Sequence, residues 1–409
     1  MNLIDDKEDQ QQEQSLEAKA ESEPATITPV KGSHPDFEFN LRELAGSMGD
    51  FGTLVPLAIG YIVIVGLHPA GFLVMLGLTN IFLGLVYKIP MPLQPKKVVA
   101  SAAIAQKWTP SLVYGTGFSL GLAWLGLSFT KIKGESVIEK ISKYTPQCVI
   151  RGILLALGIS LALTGFEMLL SGLLFGLIAI ILIVLLRNNK NAPAALVLVL
   201  LGIGIIAFQG QLLGVIIFNF TLPPLTAPTL QSMYQGMLLA GIAQIPLSIT
   251  NAVIVVAALI KDYFPERAVS EKRIMQNMGV MNLAAPFFGG FPMCHGGGGL
   301  VAQYSFGART GGANIMEGTI ELILGLLFAG SIVALFSAFP IGIVAAMLLF
   351  VSVQLVSFVK DIKRDLREIG IMLVTAILSI LTNMAVGFAV GIIVFYVLKK
   401  IKSENNFQA

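Results

Sequence analysis

Two long stretches of this chain contain no charged side chain, and they limit its fold more than any other feature. Residues 191–260 and 322–359 include no Asp, Glu, Lys, Arg or His. Only 12% of the 409 residues are charged, about half of the roughly 25% typical of soluble globular proteins. Because about 20 apolar residues span a bilayer, these stretches must hold several crossings. The sequence predicts an all-α polytopic membrane protein.

Prolines, glycine pairs and charge clusters divide the apolar sequence into fourteen predicted transmembrane segments. They lie near residues 48–66, 70–87, 96–106, 111–130, 147–165, 168–186, 193–209, 234–260, 271–288, 298–308, 314–335, 340–359, 368–382 and 384–400. With the N-terminus placed in the cytoplasm, the loops on that side hold sixteen Lys and Arg, and the opposite loops hold only Lys107. This asymmetry follows the positive-inside rule. We therefore expect an integral protein of the cell membrane with both termini cytoplasmic.

The N-terminal residues 1–40 differ in composition from the rest of the chain. Residues 1–38 hold ten acids against three lysines and few large apolar side chains, which is typical of a disordered segment. They lack the basic start and apolar centre of a signal peptide, so we expect a disordered acidic tail that stays on the mature protein. Cys148 and Cys294 offer neither a disulfide framework nor metal-ligand spacing, and neither a metal nor a cofactor is expected.

Two predicted segments are too short to cross a bilayer as helices. Segments 96–106 and 298–308 have eleven residues each, about 16 Å of helix against a hydrocarbon core of about 30 Å. Each follows a run that breaks a helix, IPMPLQP at 89–95 and GGFPMCHGGGG at 289–299. Irregular backbone at this depth is tolerated only where it is buried in protein or lines a cavity. We therefore expect two half-helices, as segments 3 and 10.

The two breaks belong to an internal repeat. Three pairs of stretches align at nearly equal offsets: 89–100 with 291–302 at 202, 56–65 with 246–255 at 190, and 145–146 with 339–340 at 194. Seven crossings in each half is an odd number, so the second half must be inverted relative to the first. The prediction is a seven-plus-seven inverted repeat, in which paired broken segments mark a transporter's binding site.

The paired breaks also predict the charge of the ligand. A helix N-terminus offers free N–H groups and about half a positive charge, so two of them meeting at mid-membrane suit an anion with oxygens pointing in several directions. The glycines at 296–299 would let the backbone approach such a ligand closely, although a flexible turn between helices is an alternative explanation. No Gly-Lys-Ser/Thr follows, so a P-loop is not supported.

Four motifs carry a family resemblance: ELAGSMGDFGTLVP at 43–56, PMPLQPK at 90–96, QIPLSITN at 244–251 and FPMCHGGGGLVAQYSFGAR at 291–309. They resemble the signatures of the molybdate transporter family, relatives of the SulP sulfate permeases. The resemblance implies a core domain, formed by residues 45–130 and 234–335, that moves against a gate domain, formed by 145–210 and 340–400. Because the chain ends nine residues after the last segment, the C-terminal STAS domain of typical SulP proteins is not expected.

The breaks and their neighbouring segments supply the candidate substrate-binding residues. These are Asp50, Gln94, Lys96, Gln244, His295, Gly296, Gly297 and Gly298. Lys96 directly follows Pro95, where the half-helix should begin, so we expect Lys96 rather than Lys97 to face the anion. For three of these residues a structural role is the alternative to substrate binding. Asp50 could stabilise a helix dipole, His295 could line the break, and Gln244 could form hydrogen bonds between helices.

Two acids in segment 11 are candidates for coupling transport to protons. Glu317 and Glu321 are four residues apart and share one face of a helix. Glu321 lies deeper and is expected to take up a proton, whereas Glu317 either assists it or pairs with Arg309 near the cytoplasmic surface. Arg151, one turn into segment 5, is expected to reach the cytoplasmic interface by snorkelling.

Together these features predict a transporter of a tetrahedral oxyanion, molybdate being the expected substrate, that works by alternating access in a lipid bilayer. The alternatives that stay open are a sulfate transporter, an anion channel of the same fold, and a nucleobase permease, which would need stacking and carboxylate acceptors. No Ser/His/Asp set or zinc signature is present, so an enzyme is not expected. A nucleic-acid partner is not expected either, and a homodimer stays open.

Overall fold

The chain is mostly helical in a computed structural model that describes residues 35–132, 135–186, 194–361 and 365–405. The helices of the first half are Leu41–Val65, Pro69–Tyr87, Lys97–Ala105, Pro110–Phe129, Val137–Tyr144, Gln147–Ser171, Leu173–Leu186, Ala194–Phe208 and Leu212–Val215. Those of the second half are Leu230–Tyr263, Pro265–Arg267, Glu271–Ala284, Ala285–Phe288, Gly297–Phe306, Gly312–Leu327, Ala329–Ala338, Ile341–Ser357, Phe358–Asp361, Leu366–Leu381 and Met384–Asn405.

Within the described residues, six helices are long and apolar enough to cross a membrane, and a bent pair brings the number to seven. The six are Leu41–Val65, Pro69–Tyr87, Pro110–Phe129, Gln147–Ser171, Leu230–Tyr263 and Met384–Ile401. Three shorter apolar helices are Leu173–Leu186, Val197–Phe208 and Ile341–Ser357. Helical residues occupy each of the fourteen predicted segments, and the prediction of a helical membrane protein is confirmed at this level.

The predicted segment 314–335 is not one straight helix. Gly312–Leu327 and Ala329–Ala338 meet at 85°, because Phe328 leaves the helical conformation (φ −130°, ψ 18°). The connection that precedes Leu230 compensates for the lost helical bonds, since Thr221 N donates to Leu326 O (2.7 Å) and Asn219 N to Leu327 O (3.1 Å). An apolar run without Pro or charge carried no sign of this bend.

The two breaks, defined here as residues 89–96 (first break) and 289–296 (second break), pair with each other. Gln94–Pro95 and Met293–Cys294 form a two-residue antiparallel strand pair, and Lys96 N donates to Pro292 O (2.9 Å). The half-helices Lys97–Ala105 and Gly297–Phe306 start just beyond this pair, so their N-termini meet there. The expected all-α fold thus contains a minimal sheet at its centre, besides a two-residue pair in the loop after Phe129.

Two buried asparagines hold the backbone of the breaks. Met91 N donates to Asn314 Oδ1 and Asn314 Nδ2 donates to Met91 O, both at 2.8 Å. In the second break Met293 N donates to Asn282 Oδ1 (2.9 Å) and Asn282 Nδ2 donates to Met293 O (2.8 Å). Backbone groups at membrane depth have no water to bond to, so these side-chain amides replace it.

The helices pack in two groups. In one, Pro69–Tyr87 lies against Gly312–Leu327, and Pro110–Phe129 lies against Glu271–Ala284. In the other, Gln147–Ser171 packs against Ile341–Ser357 and Leu366–Leu381. The half-helix Lys97–Ala105 contacts Gln147–Ser171, which makes it part of the boundary between the groups.

The residues that end the expected acidic tail contact the rest of the chain. The Asp36 carboxylate accepts hydrogen bonds from Lys88 Nζ (2.5 Å) and Arg267 Nη2 (3.0 Å), and Glu38 N donates to Thr310 Oγ1 (3.0 Å). The hydrogen bond from Lys88 lowers the pKa of Asp36 below its ordinary value, so this contact is kept at neutral pH and lost only in acid. Residues 1–34 of the predicted tail lie outside the described residues.

Glycine allows a close backbone approach between Pro69–Tyr87 and Gly312–Leu327. A side chain at Gly77 would meet the Gly318 carbonyl oxygen at 2.5 Å, and one at Gly318 would meet the Gly77 carbonyl oxygen at 2.5 Å. Neither contact can be relieved without separating the helices, because the clashing atoms are backbone. Gly126 provides a comparison, since a side chain there would meet nothing within 4 Å.

We expect Gly318→Leu to lower the free energy of unfolding in detergent by about 1–3 kcal/mol through overpacking. The matched control is Gly126→Leu, which makes the same change at an exposed position of another helix and should leave stability unchanged or slightly raised. Denaturation followed by circular dichroism measures both. Equal stabilities of the two variants would show that the helices are not in close contact at Gly77.

Candidate functional site

A small space separates the two half-helices where the breaks pair. Its polar lining consists of Gln94, Lys97, Gln244, Ser248, Asn251, Cys294 and His295. Its volume is about 10 Å³, enough for about one water molecule. The structure therefore brings together three of the predicted site residues, Gln94, Gln244 and His295, in a space that is closed to any polyatomic ion.

Gln244 caps the first half-helix. Its side-chain oxygen accepts from Val98 N (2.9 Å) and Val99 N (3.4 Å), and its Nε2 donates to Ser248 Oγ (2.8 Å). The N–H groups that the sequence analysis assigned to an anion are thus already occupied at this helix end. Gln244 acts here as a bridge between helices, the second of the two roles left open for it.

The second half-helix has no side-chain cap at its N-terminus. Added side chains at Gly296 and Gly297 would collide with Gln94 Nε2 (2.1 Å) and a Val255 methyl group (2.6 Å), whereas one at Gly298 would meet nothing within 4 Å. Gly298 is exposed and its neighbours are buried. It is the point at which a ligand can approach the uncapped end of this helix.

Asp50 is buried beside the same helix end. Gln94 Nε2 donates to Asp50 Oδ2 (3.0 Å), and a side chain at Gly299 would lie 2.6 Å from that oxygen. A carboxylate next to the first turn of a helix is stabilised by the helix dipole. This position supports the dipole-stabilising role for Asp50, and its bond to Gln94 fixes one side of the small space.

His295 lies in the same space, fully buried. Its Nδ1 is 3.0 Å from Pro92 O of the first break, so the ring links the two breaks. Its Nε2 has no hydrogen-bond partner within the described part of the chain.

The two lysines at the first half-helix are oriented opposite to the sequence prediction. Lys96 is extended (φ −62°, ψ 113°) because its N–H is used in the strand pair, and the half-helix begins one residue later. Its side chain is fully buried, with Nζ 5.1 Å from the centre of the Trp124 ring. Lys97 is half-buried and faces the cavity described next. The prediction that Lys96 rather than Lys97 faces the site was wrong in its rotation of the helix.

A larger cavity, which we call the vestibule, opens beside Lys97. Its volume is about 310 Å³, and its polar lining consists of Lys97, Gln147, Arg151, Thr250 and Asn251. Lys97 Nζ lies 5.9 Å and Arg151 Cζ 5.4 Å from the centre of the Phe358 ring, so one aromatic ring is flanked by two cations. Arg151 therefore lines the vestibule, where the sequence analysis expected it to snorkel to the interface.

Glu317 and Glu321 line a different cavity, with a volume of about 320 Å³ and an otherwise almost entirely apolar wall. Glu321 Oε2 accepts from Asn80 Nδ2 (2.8 Å), and within the described residues Glu317 Oε2 has no partner. Arg309 makes no ion pair with Glu317 among those residues. It donates to Tyr304 O and Ala308 O at the C-terminal end of the second half-helix instead.

Four buried polar residues that position the site were not predicted from the sequence. Asn80, Asn282 and Asn314 were not singled out, and neither was Glu43, whose carboxylate accepts from Arg309 N (2.9 Å) and Thr310 N (3.2 Å). Their signal was present, because an amide or carboxylate inside an apolar segment must find partners within the protein.

The orientation of the two lysines can be tested by chemical labelling. In a protein whose two native cysteines are replaced by serine, Lys97→Cys should react with a water-soluble maleimide, because position 97 lines the vestibule. Lys96→Cys is the matched control and should stay unlabelled until the protein is denatured, since position 96 is fully buried. Faster labelling at 96 than at 97 would restore the orientation expected from the sequence.

The sequence is similar to known proteins over most of its length. Two stretches, residues 42–161 and 236–355, match the family model described as "Molybdate transporter of MFS superfamily". Molybdate transporter 2 of Arabidopsis thaliana is 31% identical over 87% of this chain and 87% of its own length. Molybdate transporter 1 of the same plant is 29% identical over 88% of this chain and 89% of its own length.

Solved structures of anion transporters share the fold. The structure of SLC26A9 superposes with a TM-score of 0.64 at 16% identity, over 88% of this chain and 65% of that one. The transmembrane domain of the cyanobacterial bicarbonate transporter BicA gives 0.61 at 18% identity, over 86% and 96%. This chain thus spans about two thirds of the SLC26A9 chain and nearly all of the BicA domain. With the family model matching more than half of its residues, the chain belongs to the molybdate transporter family.

Proposed function

We propose that this chain carries a tetrahedral oxyanion, molybdate, across the membrane by alternating access. The observation that carries the proposal is the vestibule, where Lys97 and Arg151 lie next to the meeting N-termini of two half-helices. The two cations match the charge of a dianion, which would be too costly to hold in a buried site without them. The molybdate transporters among its relatives give the choice of substrate.

The site is less suited to a neutral nucleobase. Such a ligand needs a carboxylate acceptor in the cavity, and Asp50, whose Oδ2 accepts from Gln94 (3.0 Å), is not among the residues that line the vestibule. A neutral base also brings no negative charge to match the two cations at the vestibule. Sulfate and molybdate share their shape and charge, so competition between them decides the selectivity.

For the membrane topology we infer fourteen segments in a seven-plus-seven inverted repeat. The two stretches matched by the family model are equal in length and begin 194 residues apart, the same offset at which 145–146 aligns with 339–340. Pro56 and Pro246 both lie inside helices, and each is followed by a π-helical turn, Tyr61–Val65 and Ile249–Ile254. These paired irregularities support the repeat, and the positive-inside count supports cytoplasmic termini in the cell membrane.

We assign residues 45–130 and 234–335 to a core domain and residues 145–210 and 340–400 to a gate domain. The two packing groups of helices support this division. The lining of the vestibule is shared between the two assigned domains, since Lys97, Thr250 and Asn251 belong to the core ranges and Gln147, Arg151 and Phe358 to the gate ranges. Movement of one domain against the other would widen or close the vestibule, which is the requirement of alternating access.

Transport by this chain should be demonstrable with purified protein in liposomes. We expect saturable accumulation of molybdate above the level of empty liposomes, with tungstate competing and uracil having no effect. Sulfate is included as a competitor, since preference for sulfate would change the substrate but keep the mechanism. Flux that does not saturate and never exceeds equilibrium would indicate a channel, and absence of any oxyanion flux would contradict the proposal.

The cation at the vestibule should matter more than the buried one. Because Lys97 faces the vestibule, we expect Lys97→Gln to weaken molybdate binding by about tenfold or more, on the order of 1.4 kcal/mol. Lys96→Gln is the matched neighbour and should weaken binding clearly less. Isothermal titration of the purified variants measures both, and a larger loss from Lys96→Gln would place the anion on the other side of the half-helix.

A further inference from the structure

A continuous chain of hydrogen bonds joins Glu321 to the first break. Glu321 Oε2 accepts from Asn80 Nδ2, Asn80 Oδ1 accepts from Asn314 Nδ2, and Asn314 holds both backbone groups of Met91, all at 2.8 Å. All four residues are buried, with exposed fractions between 0% and 6%. Met91 lies three residues before Gln94 and six before Lys97. The hydrogen bonds therefore run from a carboxyl that lines one cavity to the backbone of the first break, three residues before Gln94, which lines the small space.

The direction of every bond in this chain is fixed by the backbone of Met91. A backbone presents one donor and one acceptor, so Asn314 must turn its oxygen to Met91 N and its amide nitrogen to Met91 O. The second hydrogen of that nitrogen points to Asn80, which must therefore present its oxygen. Asn80 is left with its amide N–H facing Glu321, and a donor in this position needs an acceptor.

An ionised Glu321 satisfies this donor best. Hydrogen bonds to a charged group contribute about 1.5–3 kcal/mol, against about 0.5–1.5 kcal/mol for neutral pairs. A protonated Glu321 weakens the bond from Asn80 and adds an O–H that needs an acceptor of its own. Reversing Asn80 to supply that acceptor would turn its nitrogen towards the nitrogen of Asn314, and reversing Asn314 would break both bonds to Met91.

We propose that Asn80 and Asn314 form a coupling relay, through which protonation of Glu321 loosens the first break and admits the oxyanion between the half-helices. The proposal rests on the proposed function, since it names the route by which a proton and an oxyanion act on each other. With Glu321 ionised, the first break is held against the second, and the space between them has room for about one water molecule. Protonation of Glu321 weakens the hydrogen bonds that fix the first break. Binding of a proton and binding of the oxyanion therefore favour each other, as symport requires.

Other titratable groups face the same region and must be separated from Glu321. Glu317 shares the cavity with Glu321 and interacts electrostatically with it and with Asp50 of the first crossing. Glu43, from the start of that crossing, accepts hydrogen bonds from Arg309 N and Thr310 N through its carboxylate. The other two helices at this cavity, both described in full, contribute no titratable group there. Pro69–Tyr87 contributes Asn80 and Thr79, whose hydroxyl donates to Met75 O, and Ala329–Ala338 contributes Ile332 and Phe336. Of the carboxyls, Glu321 alone bonds to Asn80 in the described structure.

The test is the molybdate dissociation constant of the purified full chain, measured as a function of pH. In the wild type we expect affinity to rise by at least about fivefold as pH falls, the lower end of typical coupling between sites. Glu321→Gln, which is neutral at every pH, should remove most of this dependence and leave binding tight. Glu317→Gln should keep it.

The relay residue itself is tested with Glu321 intact. Asn80→Leu and the smaller change Asn80→Ser both remove the amide, and either should make affinity independent of pH, whichever of the two folds better. The matched control is Asn282→Ser, which loosens the second break in the same way but has no connection to Glu321. It should alter affinity and keep the pH dependence.

The outcomes separate the relay from the function. If the wild type does not bind molybdate, the proposed substrate fails. If it binds molybdate without pH dependence, or if the dependence survives both Asn80 substitutions, the relay is wrong and the transport function stands. A loss of pH dependence in Asn282→Ser equal to that in the Asn80 variants would likewise overturn the relay, because it would show a general effect of loosening the breaks.

Discussion

The structure depends on satisfying the backbone of two irregular segments at a depth where no water is present. Each break needs partners for its N–H and C=O groups, and each finds them in the other break and in a buried asparagine. The two-residue strand pair and the amides of Asn282 and Asn314 involve few atoms, yet they fix the positions of both half-helices. The surrounding helices, including Pro69–Tyr87 and Gly312–Leu327 with their close approach at Gly77 and Gly318, support this centre.

The same constraint decides which side chains are available to a ligand. Using the N–H of Lys96 in the strand pair delays the half-helix by one residue, which turns Lys96 towards Trp124 and Lys97 towards the vestibule. Gln244 occupies the end of the first half-helix, so the second half-helix, with its glycines, keeps the uncapped end. In the proposed division into core and gate domains, the charge that faces the vestibule comes from both, Lys97 from the core and Arg151 from the gate, and it would change if the domains moved.

Much of this architecture could be predicted from the sequence, because apolar length, loop charge and Pro or Gly breaks act locally. Each predicted segment contains helical residues, and both half-helices start within one residue of the predicted positions. The rotation of Lys96 could not be predicted, since it depends on a hydrogen bond to Pro292 from the other half of the chain. The bend at Phe328 and the roles of Asn80 and Asn314 likewise depend on partners more than 100 residues away. A polar residue in an apolar segment indicates that a hydrogen-bond partner is needed, but the sequence does not identify that partner.

The strand pair between the breaks has a consequence for biosynthesis. Its two strands are separated by about 200 residues, so the first break enters the translocation machinery long before its partner has been made. Until then its backbone has no acceptor or donor in the membrane, and it cannot settle in lipid as the flanking helices can. The N-terminal half must therefore wait, shielded by the insertion apparatus or held at the aqueous surface, until the second break arrives. Each half of the chain completes the other, and neither can mature alone.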